Sequence, residues 1–382
     1  IQMVTDSYIN RLRTVDTNWN EEWQNICKKE LYIKDAVKDK NKKNILKENN
    51  IANKINDNED ACKKIVAKRI RNIIKSQDED CYYKSYPIKQ GYICLKLDEG
   101  KKIGVCTFTG STLDVLIGLM YLLNKHKNTC STISTDFASN PDLCSYYKSI
   151  GVSINSRCEF LNFEIIWAYN RLYTNQDFRK NFKECMAKNN IRFVIIPVGI
   201  EIKDGNHSNY LVYDKQTNQV ERFEPNGAYM PKNFNYNAEL FDNILTQTFN
   251  NIDNKIVYLK PSDYLPKIGF QMFDSTEQSN INIGDPKGFC ALWTIWYVDM
   301  RLTYKDIDRK KLVKSMITQI KSNNISFRNM IRNYASNIIQ IRDELLAVIG
   351  SDINAWLNDQ LSDDQINNMI KNLKTKIVSL IE

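Results

Sequence analysis

Three residues of the chain could form a nucleophilic catalytic group: His207, Glu224 and Cys290, in that order along the sequence. A thiol nucleophile needs a base that takes its proton and a third group that orients the base. Imidazole and carboxylate are suited to these two roles. The three residue types therefore predict a cysteine hydrolase in which His207 activates Cys290 and Glu224 orients His207.

The sequence between His207 and Glu224 predicts an antiparallel hairpin. Residues 210–213 and 220–223 have strand-like patterns, and residues 214–218 are typical of a turn. Antiparallel strands return to their starting edge, so His207, before the first arm, and Glu224, after the second, are expected to lie at the same end. A histidine near a turn, or a glutamate after a strand, is unremarkable alone. The shared edge favours a functional pair.

Cys290 is expected to begin an aromatic-rich helix over residues 290–302. The unpaired N–H groups and the dipole at a helix N-terminus stabilise a thiolate. Gly288, just before it, allows the backbone to approach a substrate closely. The ordinary alternative is a small buried thiol, which we expect for the other cysteines. The helical spacing of four large side chains predicts core packing: Trp293, Trp296, Tyr297 and Met300.

The order of these residues resembles the adenovirus-protease and ubiquitin-like-protein-protease group of cysteine peptidases. In that group the histidine precedes a strand, an acidic turn residue, a second strand and an acid. Asp214 is the corresponding turn residue, and Glu224 follows His207 by 17 positions. The resemblance implies an α+β fold with a central mixed sheet and the nucleophile on a buried core helix. It also implies a glutamine that helps to bind the oxyanion, and Gln271 or Gln278 could be that residue. We favour Gln271, because it follows the strand and turn of residues 255–268.

Two segments, residues 223–227 and 288–301, look most like thiol proteases of giant nucleocytoplasmic DNA viruses. The resemblance covers about residues 190–305. It implies a protein substrate, either a viral core or capsid precursor or a ubiquitin-like conjugate, and we lean toward precursor processing in virion maturation. It implies no cofactor and no metal. The implied location is the host cytoplasm, at the viral factory, with the virion as a second location.

The chain departs from the group next to its catalytic residues. Ser208 stands where the group has a tryptophan, Phe289 and Ala291 flank the cysteine, and a longer segment separates Gln271 from Cys290. These departures leave the substrate open. We expect the neighbours of the histidine and the cysteine to contact the substrate: Ser208, Asn209, Gly288 and Phe289.

Two other functions use the same residues differently. The chain could be an acyltransferase with the same triad, as in bacterial effector acetyltransferases that resemble this group. It could instead be a non-catalytic virion structural protein in which the three residues have no joint role. We see no basic phosphate clamp near the triad, which disfavours the acyltransferase.

The composition of the 382 residues is that of an ordinary globular protein, with 42% hydrophobic and 26% charged residues. No window is long and apolar enough for a membrane span. The net charge of +8 comes with interleaved acidic residues, so we expect no more than a weak attraction to nucleic acid. The ten cysteines include no Cys-x-x-Cys pair, and the first residues lack a secretory pattern. We therefore expect reduced thiols in a cytosolic compartment.

Changes in charge and in hydrophobic pattern along the sequence predict three regions. They are a charged helical extension over residues 1–80, a catalytic domain over 81–305 and a helical region over 306–382. Within them the patterns predict strands near 82–97, 104–110, 192–199 and 255–259, and helices at 111–125, within 157–189, at 237–250, 306–322 and 326–348, and after 352. Ser362 and Gln365 match a capping box that opens the last helix.

Overall fold

The structure of the chain is a computed structural model. The chain divides into two compact units, Ile1–Lys96 and Leu97–Glu382. The structure describes residues 95, 103, 105–133, 145, 149, 165–168, 170–175, 177–202, 205–231, 234–282, 285–286 and 288–381. The predicted helices of the first 80 residues and nearly all of the predicted strands near 82–97 lie outside these residues. The predicted three-part division stays a prediction.

The second unit is built around one mixed sheet in the order β3-β2-β4-β5-β6-β7, and β1 also pairs with β4. The strands are β1 (Thr129–Ser131), β2 (Ile165–Ala168), β3 (Arg171–Thr174), β4 (Phe193–Ile202), β5 (Gly205–Asp214), β6 (Gln219–Phe223) and β7 (Val257–Leu259). Strand β4 is the centre of the sheet: β5 pairs along its whole length, while β1 and β2 pair with successive parts of it. Its first eight residues are buried, as the apolar run predicts.

The helices cover both faces of the sheet. They are α1 (Thr112–Lys125), α2 (Phe178–Ala187), α3 (Ala238–Ile252), α4 (Pro261–Tyr264), α5 (Phe270–Thr276), α6 (Cys290–Thr303), α7 (Arg309–Ser322), α8 (Phe327–Val348), α9 (Ile353–Leu357) and α10 (Asp363–Ile381). On one face, α2 and α3 pack aromatic side chains against β4, β5 and β6. On the other face lies α6, which contacts β5, α1 and α8.

Helix α6 is the core helix of the unit. All residues from Ala291 to Leu302 are buried, including the four predicted core residues. The ring of Tyr297 stacks on that of Phe223 at 3.8 Å, which joins the helix to β6. Apolar residues occur on every side of this helix, which favours burial on all sides. Its buried charges are paired, Asp299 with Lys125 and Arg301 with Glu221. The predicted α+β class, mixed sheet and buried core helix are therefore present in the structure.

Two segments differ from their predictions. Residues 105–110 form no strand, because the N–H groups of Thr109 and Gly110 donate to the carboxylate of Asp114 at the start of α1. Residues 165–174 form the β2–β3 hairpin instead of a helix, because Ile165 and its neighbours pair with β4. Residues 178–187 of the same pattern form α2, and residues 157–164 lie outside the described residues.

The expectation of reduced thiols is wrong for one pair of cysteines. Cys130 of β1 and Cys185 of α2 form a disulfide, with their Cα atoms 5.8 Å apart. The pairing of β1 with β4 places β1 beside α2, and spacing along the chain does not show this contact. Of the other described cysteines, Cys106 and Cys290 are thiols.

The contact between α1 and α6 depends on a glycine. A Cβ atom on Gly118 would lie 2.3 Å from Cδ1 of Ile295, which is fully buried. We expect Gly118→Ala to lower the free energy of unfolding by about 1–2 kcal/mol, because overpacking outweighs the better helix propensity of alanine. Urea denaturation measures this change.

A double variant tests the contact itself. Ile295→Val removes the Cδ1 atom and by itself costs about 0.5–1.5 kcal/mol. In the Ile295→Val background, Gly118→Ala should cost little or nothing. Equal costs in both backgrounds would show that this contact is not the cause.

Candidate active site

The hairpin brings His207 and Glu224 into contact. Tyr210 pairs with Phe223, so Glu224 directly follows the end of β6, beside the first residues of β5. His207 lies within β5 and not before it, because β5 begins at Gly205, five residues before the predicted start of the strand at Tyr210. Nε2 of His207 lies 2.7 Å from Oε1 of Glu224. The carboxylate therefore holds one ring nitrogen, and Nδ1 is left for another partner.

That other partner is Cys290, the first residue of α6. Its side chain interacts with the His207 ring and is half-buried, while His207 itself is only 2% exposed. Phe289 is the N-cap residue of α6 and makes no capping hydrogen bond with its side chain. The first N–H groups of the helix therefore remain available to an anion. The half-buried thiol of Cys290 thus lies at a helix N-terminus and next to the buried imidazole of His207.

The charges of the site are strongly coupled. Burial by itself lowers the pKa of His207, but the negative charge of Glu224 and the hydrogen bond to Cys290 outweigh it and raise the pKa to about 10. Burial by itself raises the pKa of Glu224, but the charge and hydrogen bond of His207 lower it to about 2. At neutral pH the pair is an imidazolium and a carboxylate.

Gln271 lies next to the residues that precede Cys290. Its Nε2 atom is 3.0 Å from the position that a Cβ atom on Gly288 would occupy. Its Oε1 atom is buried and accepts no hydrogen bond from the described residues. Gln278, in contrast, is exposed, and its amide donates to the carbonyl of Ser275 at 2.7 Å. Of the two candidate glutamines, the structure brings Gln271 near the site and leaves Gln278 on the surface.

The absence of a side chain at Gly288 has a second consequence in the structure. We predicted that the missing side chain lets the backbone approach a substrate. In the structure the missing Cβ also makes room for the amide of Gln271. An alanine here would push against that amide.

The long segment between Gln271 and Cys290 is held by α8. The carboxylate of Glu277 accepts hydrogen bonds from the backbone N–H groups of Phe327 and Arg328 at 2.8 and 3.2 Å, which caps α8. In addition, Arg332 binds Asp285 through two hydrogen bonds of 2.8 and 2.6 Å. Within this segment, α5 is followed by a turn of 3₁₀ helix, Gln278–Asn280.

Asp274 joins the same segment to the core helix. One oxygen of its carboxylate accepts from the indole N–H of Trp293 at 2.8 Å, and the other pairs with Arg328 at 2.8 Å. Sequence reasoning did not find these charged residues, because an Asp or Arg in a helical pattern gives no sign of its burial.

Three of the four predicted substrate contacts have buried side chains. Ser208 is buried, Phe289 is fully buried, and Asn209 is fully buried with its amide donating to Oε2 of Glu224 at 2.9 Å. These side chains face the interior, so a contact with substrate would have to come from their backbone. The side chain of Asn209 binds the carboxylate of Glu224 instead.

Phe234 is a member of the site that the sequence did not indicate. Its ring meets the ring of His207 edge to face, with the centroids 4.7 Å apart. Phe234 lies in an irregular segment, where no pattern predicts its position. The chain thus places an aromatic ring on the histidine, although the residue after His207 is a serine.

Within the described ranges, no group of three or more His, Cys, Asp or Glu residues could bind a metal ion. The prediction that the reaction needs no metal and no cofactor stays a prediction. Among the helices that the structure describes, none is long and apolar enough to cross a membrane.

The chain is similar to a protein of Acanthamoeba polyphaga mimivirus that is described as an ankyrin repeat protein. The two are 35% identical over 379 residues, which cover 97% of this chain and 46% of the relative. The chain therefore spans about half the length of the relative that it matches. The similarity supports a giant-virus origin. No family model matches the chain.

Solved structures with some similarity include two of ChlaDUB1, an effector protein of Chlamydia trachomatis, and one of RavZ, an effector protein of Legionella pneumophila. A ChlaDUB1 structure has 9% sequence identity and a TM-score of 0.26, covering 58% of this chain and 86% of that chain. RavZ has 10% identity and a TM-score of 0.29, covering 74% of this chain and 82% of that chain. TM-scores this low do not establish a shared fold, so these similarities carry no argument about the chemistry of the site.

The coupling of His207 to Glu224 can be measured directly, because the chain has only two histidines. We expect the His207 ring to remain protonated at pH 7 and to lose its proton near pH 10. Because this pKa lies above the ordinary 6.5, the charged ring stabilises the fold below about pH 6.5, and this contribution is lost as the pH rises through about 10. NMR titration of the ring signals, assigned with His126→Gln, measures the pKa.

Glu224→Gln provides the control. It keeps an oxygen near Nε2 but removes the negative charge, so the titration of His207 should move to lower pH. A His207 ring that titrates at the same pH in both proteins would contradict the ion pair.

Proposed function

We propose that the chain is a cysteine peptidase that cleaves a peptide or isopeptide bond with Cys290 as nucleophile. The observation that carries this proposal is the position of His207, whose Nε2 atom lies 2.7 Å from Oε1 of Glu224 and whose ring also interacts with the side chain of Cys290. The three groups are adjacent, and each lies in the environment that its role requires. The catalytic roles of the individual residues are part of the proposal.

In the first half of the proposed reaction, His207 holds the proton of Cys290 and the thiolate attacks the carbonyl carbon of the substrate. The backbone N–H of Cys290 and the amide of Gln271 donate to the developing oxyanion. His207 then gives its proton to the leaving amine, and a thioester to Cys290 remains. Glu224 keeps the ring in one orientation and stabilises its positive charge.

In the second half, His207 takes a proton from a water molecule, which attacks the thioester. The oxyanion forms again in the same place and collapses, releasing the carboxylic acid and the Cys290 thiolate. His207 keeps the proton that it took from water, which replaces the proton given to the leaving amine, so the starting ion pair is restored. The cycle therefore needs no group beyond the side chains and backbone named above.

The substrate class remains a choice between two kinds of protein. A viral core or capsid precursor would be cut during virion maturation, at the viral factory or in the virion. A ubiquitin-like conjugate would be cut in the host cytoplasm. The resemblance to viral thiol proteases favours the precursor.

The proposal is tested with activity probes that trap an active-site thiolate. Propargyl-terminated ubiquitin, SUMO and other modifiers report on conjugate cleavage, and an electrophilic peptide with small residues before the reactive group reports on precursor cleavage. We expect one probe class to label wild type and not Cys290→Ala. Mass spectrometry locates the adduct.

Cys106→Ala is the matched control. Burial raises the pKa of the Cys106 thiol to about 11, so this residue should not react at neutral pH and its removal should not change labelling. Labelling that survives Cys290→Ala would overturn the assignment of the nucleophile. A wild-type protein that no probe labels, and whose Cys290 reacts with iodoacetamide no faster than in His207→Ala, would favour a non-catalytic virion protein.

The two glutamines allow a matched comparison of the oxyanion site. Removal of one oxyanion donor typically costs about 100- to 1,000-fold in kcat. We expect Gln271→Ala to lower kcat on the identified substrate by about this factor, with little change in KM, and Gln278→Ala to leave both unchanged. Steady-state kinetics on the two purified variants measures the difference.

Gly288→Ala extends the comparison, because its new methyl group would displace the Gln271 amide. It should lower kcat as Gln271→Ala does. Iodoacetamide forms no oxyanion, so its rate with Cys290 should remain unchanged in both variants. Equal kcat values for Gln271→Ala and Gln278→Ala would remove Gln271 from the site.

A further inference from the structure

Behind Glu224 lies a buried chain of polar groups. Arg222 of β6 is 2% exposed, and its guanidinium binds both oxygens of Asp242 on α3, with Nε to Oδ1 at 2.7 Å and Nη2 to Oδ2 at 2.8 Å. The hydroxyl of Tyr258 donates to the same carboxylate at 2.6 Å. A guanidinium held by two parallel hydrogen bonds has one orientation only. Its third nitrogen therefore points in a defined direction.

That third nitrogen reaches the active site through Asn209. Nη1 of Arg222 donates to Oδ1 of Asn209 at 2.6 Å, and Nδ2 of Asn209 donates to Oε2 of Glu224 at 2.9 Å. The hydroxyl of Tyr236 donates to the same Oε2 atom at 3.0 Å. Arg222 itself lies 3.9 Å from Oε2. The second oxygen of Glu224 is thus fully occupied, while its first oxygen faces His207.

The chemistry of the three groups explains why an asparagine stands between them. A guanidinium has only donors, and an ionised carboxylate has only acceptors. The amide of Asn209 has one of each, and Arg222 determines which end points toward Glu224. An aspartate at this position would face the glutamate with like charge, and an alanine would leave both neighbours without this bond.

We propose that Arg222 and Asn209 are positioning residues that hold Glu224 in the orientation that His207 needs. The order of contacts is Asp242, Arg222, Asn209, Glu224, His207 and Cys290, which connects α3 on one face of the sheet to α6 on the other. The inference rests on the proposed peptidase function. It adds that the competence of the triad depends on an ion pair away from the substrate.

A merely structural ion pair is the alternative, because Arg222 and Asp242 also join β6 to α3. The two roles separate in a double-variant experiment. Asn209→Ala is made in wild type and in Glu224→Gln, and the rate of probe labelling at Cys290 is measured for each protein. In wild type we expect labelling about 10- to 100-fold slower, because a misplaced catalytic group costs about this factor.

In the Glu224→Gln background, where no charged carboxylate remains to be oriented, Asn209→Ala should have little further effect. The NMR titration of His207 should move to lower pH in Asn209→Ala, and circular dichroism should show a folded protein. Equal slowing in both backgrounds, with an unchanged His207 titration, would overturn the proposal and leave a structural role.

Arg192→Gln is a matched control for Arg222→Gln, because Arg192 pairs with Asp214 at the opposite end of the β5–β6 hairpin. Arg192 binds both oxygens of Asp214 at 3.0 Å, in the same two-bond arrangement, but beside the turn. Both variants lose a paired guanidinium. We expect Arg222→Gln to slow labelling strongly and Arg192→Gln to leave the labelling rate unchanged.

If Arg222→Gln does not fold, Tyr236→Phe serves as the second variant, since it removes one donor to Oε2 and keeps the ring. It should slow labelling less than Asn209→Ala does. Wild-type rates in both Asn209→Ala and Tyr236→Phe would also contradict the inference. Absence of labelling in wild type would count against the proposed function instead.

Discussion

The register of the β5–β6 hairpin is the constraint on which the site depends. The pairing of Tyr210 with Phe223 decides which residues meet at the open end of the hairpin. It places Glu224 beside His207, although 17 positions separate them. A shift by one residue would move every side chain of one strand to the opposite face. Such a shift is costly because it would separate buried polar side chains, such as Asn209 and Arg222, from their hydrogen-bond partners and place them among apolar side chains.

Burial of charge is the second theme of this unit. A carboxylate as buried as Glu224 is costly unless donors surround it. The donors are His207 and Asn209 on β5, Tyr236 before α3 and the backbone N–H of Asn226. The positive charge of Arg222 on β6 lies 3.9 Å from the carboxylate. The network that offsets the cost of burial also limits the movement of the carboxylate. Stability and orientation thus come from the same contacts.

The C-terminal helices belong to the same compact unit as the sheet and contribute to the site. Helix α8 binds the segment between Gln271 and Cys290 through Glu277, Asp274 and Asp285. This explains how a glutamine far from the cysteine in sequence can lie beside Gly288. Helix α8, which the sequence places after the predicted catalytic domain, therefore positions the segment that leads to Cys290.

Local patterns in the sequence were enough for the elements and for the core of the site. Alternation and turn residues predicted β5 and β6, the apolar run predicted β4, and aromatic spacing predicted the buried helix that begins with Cys290. These features depend on neighbours in sequence, so they can be read from it. The contact of His207 with Glu224 was predictable for the same reason, since one hairpin contains both.

Contacts between distant segments were decided only by the tertiary structure. Part of the strand predicted at 104–110 is replaced by hydrogen bonds to Asp114. Residues 165–167, within the helical pattern of 157–189, pair with β4 instead. Asn209, expected at the substrate, faces Glu224 and Arg222 because the sheet turns it inward. Hydrophobic periodicity and secondary-structure propensity describe only the conformation that a segment prefers in isolation. Burial of polar groups, which decides these cases, depends on which partners the fold brings within hydrogen-bonding distance.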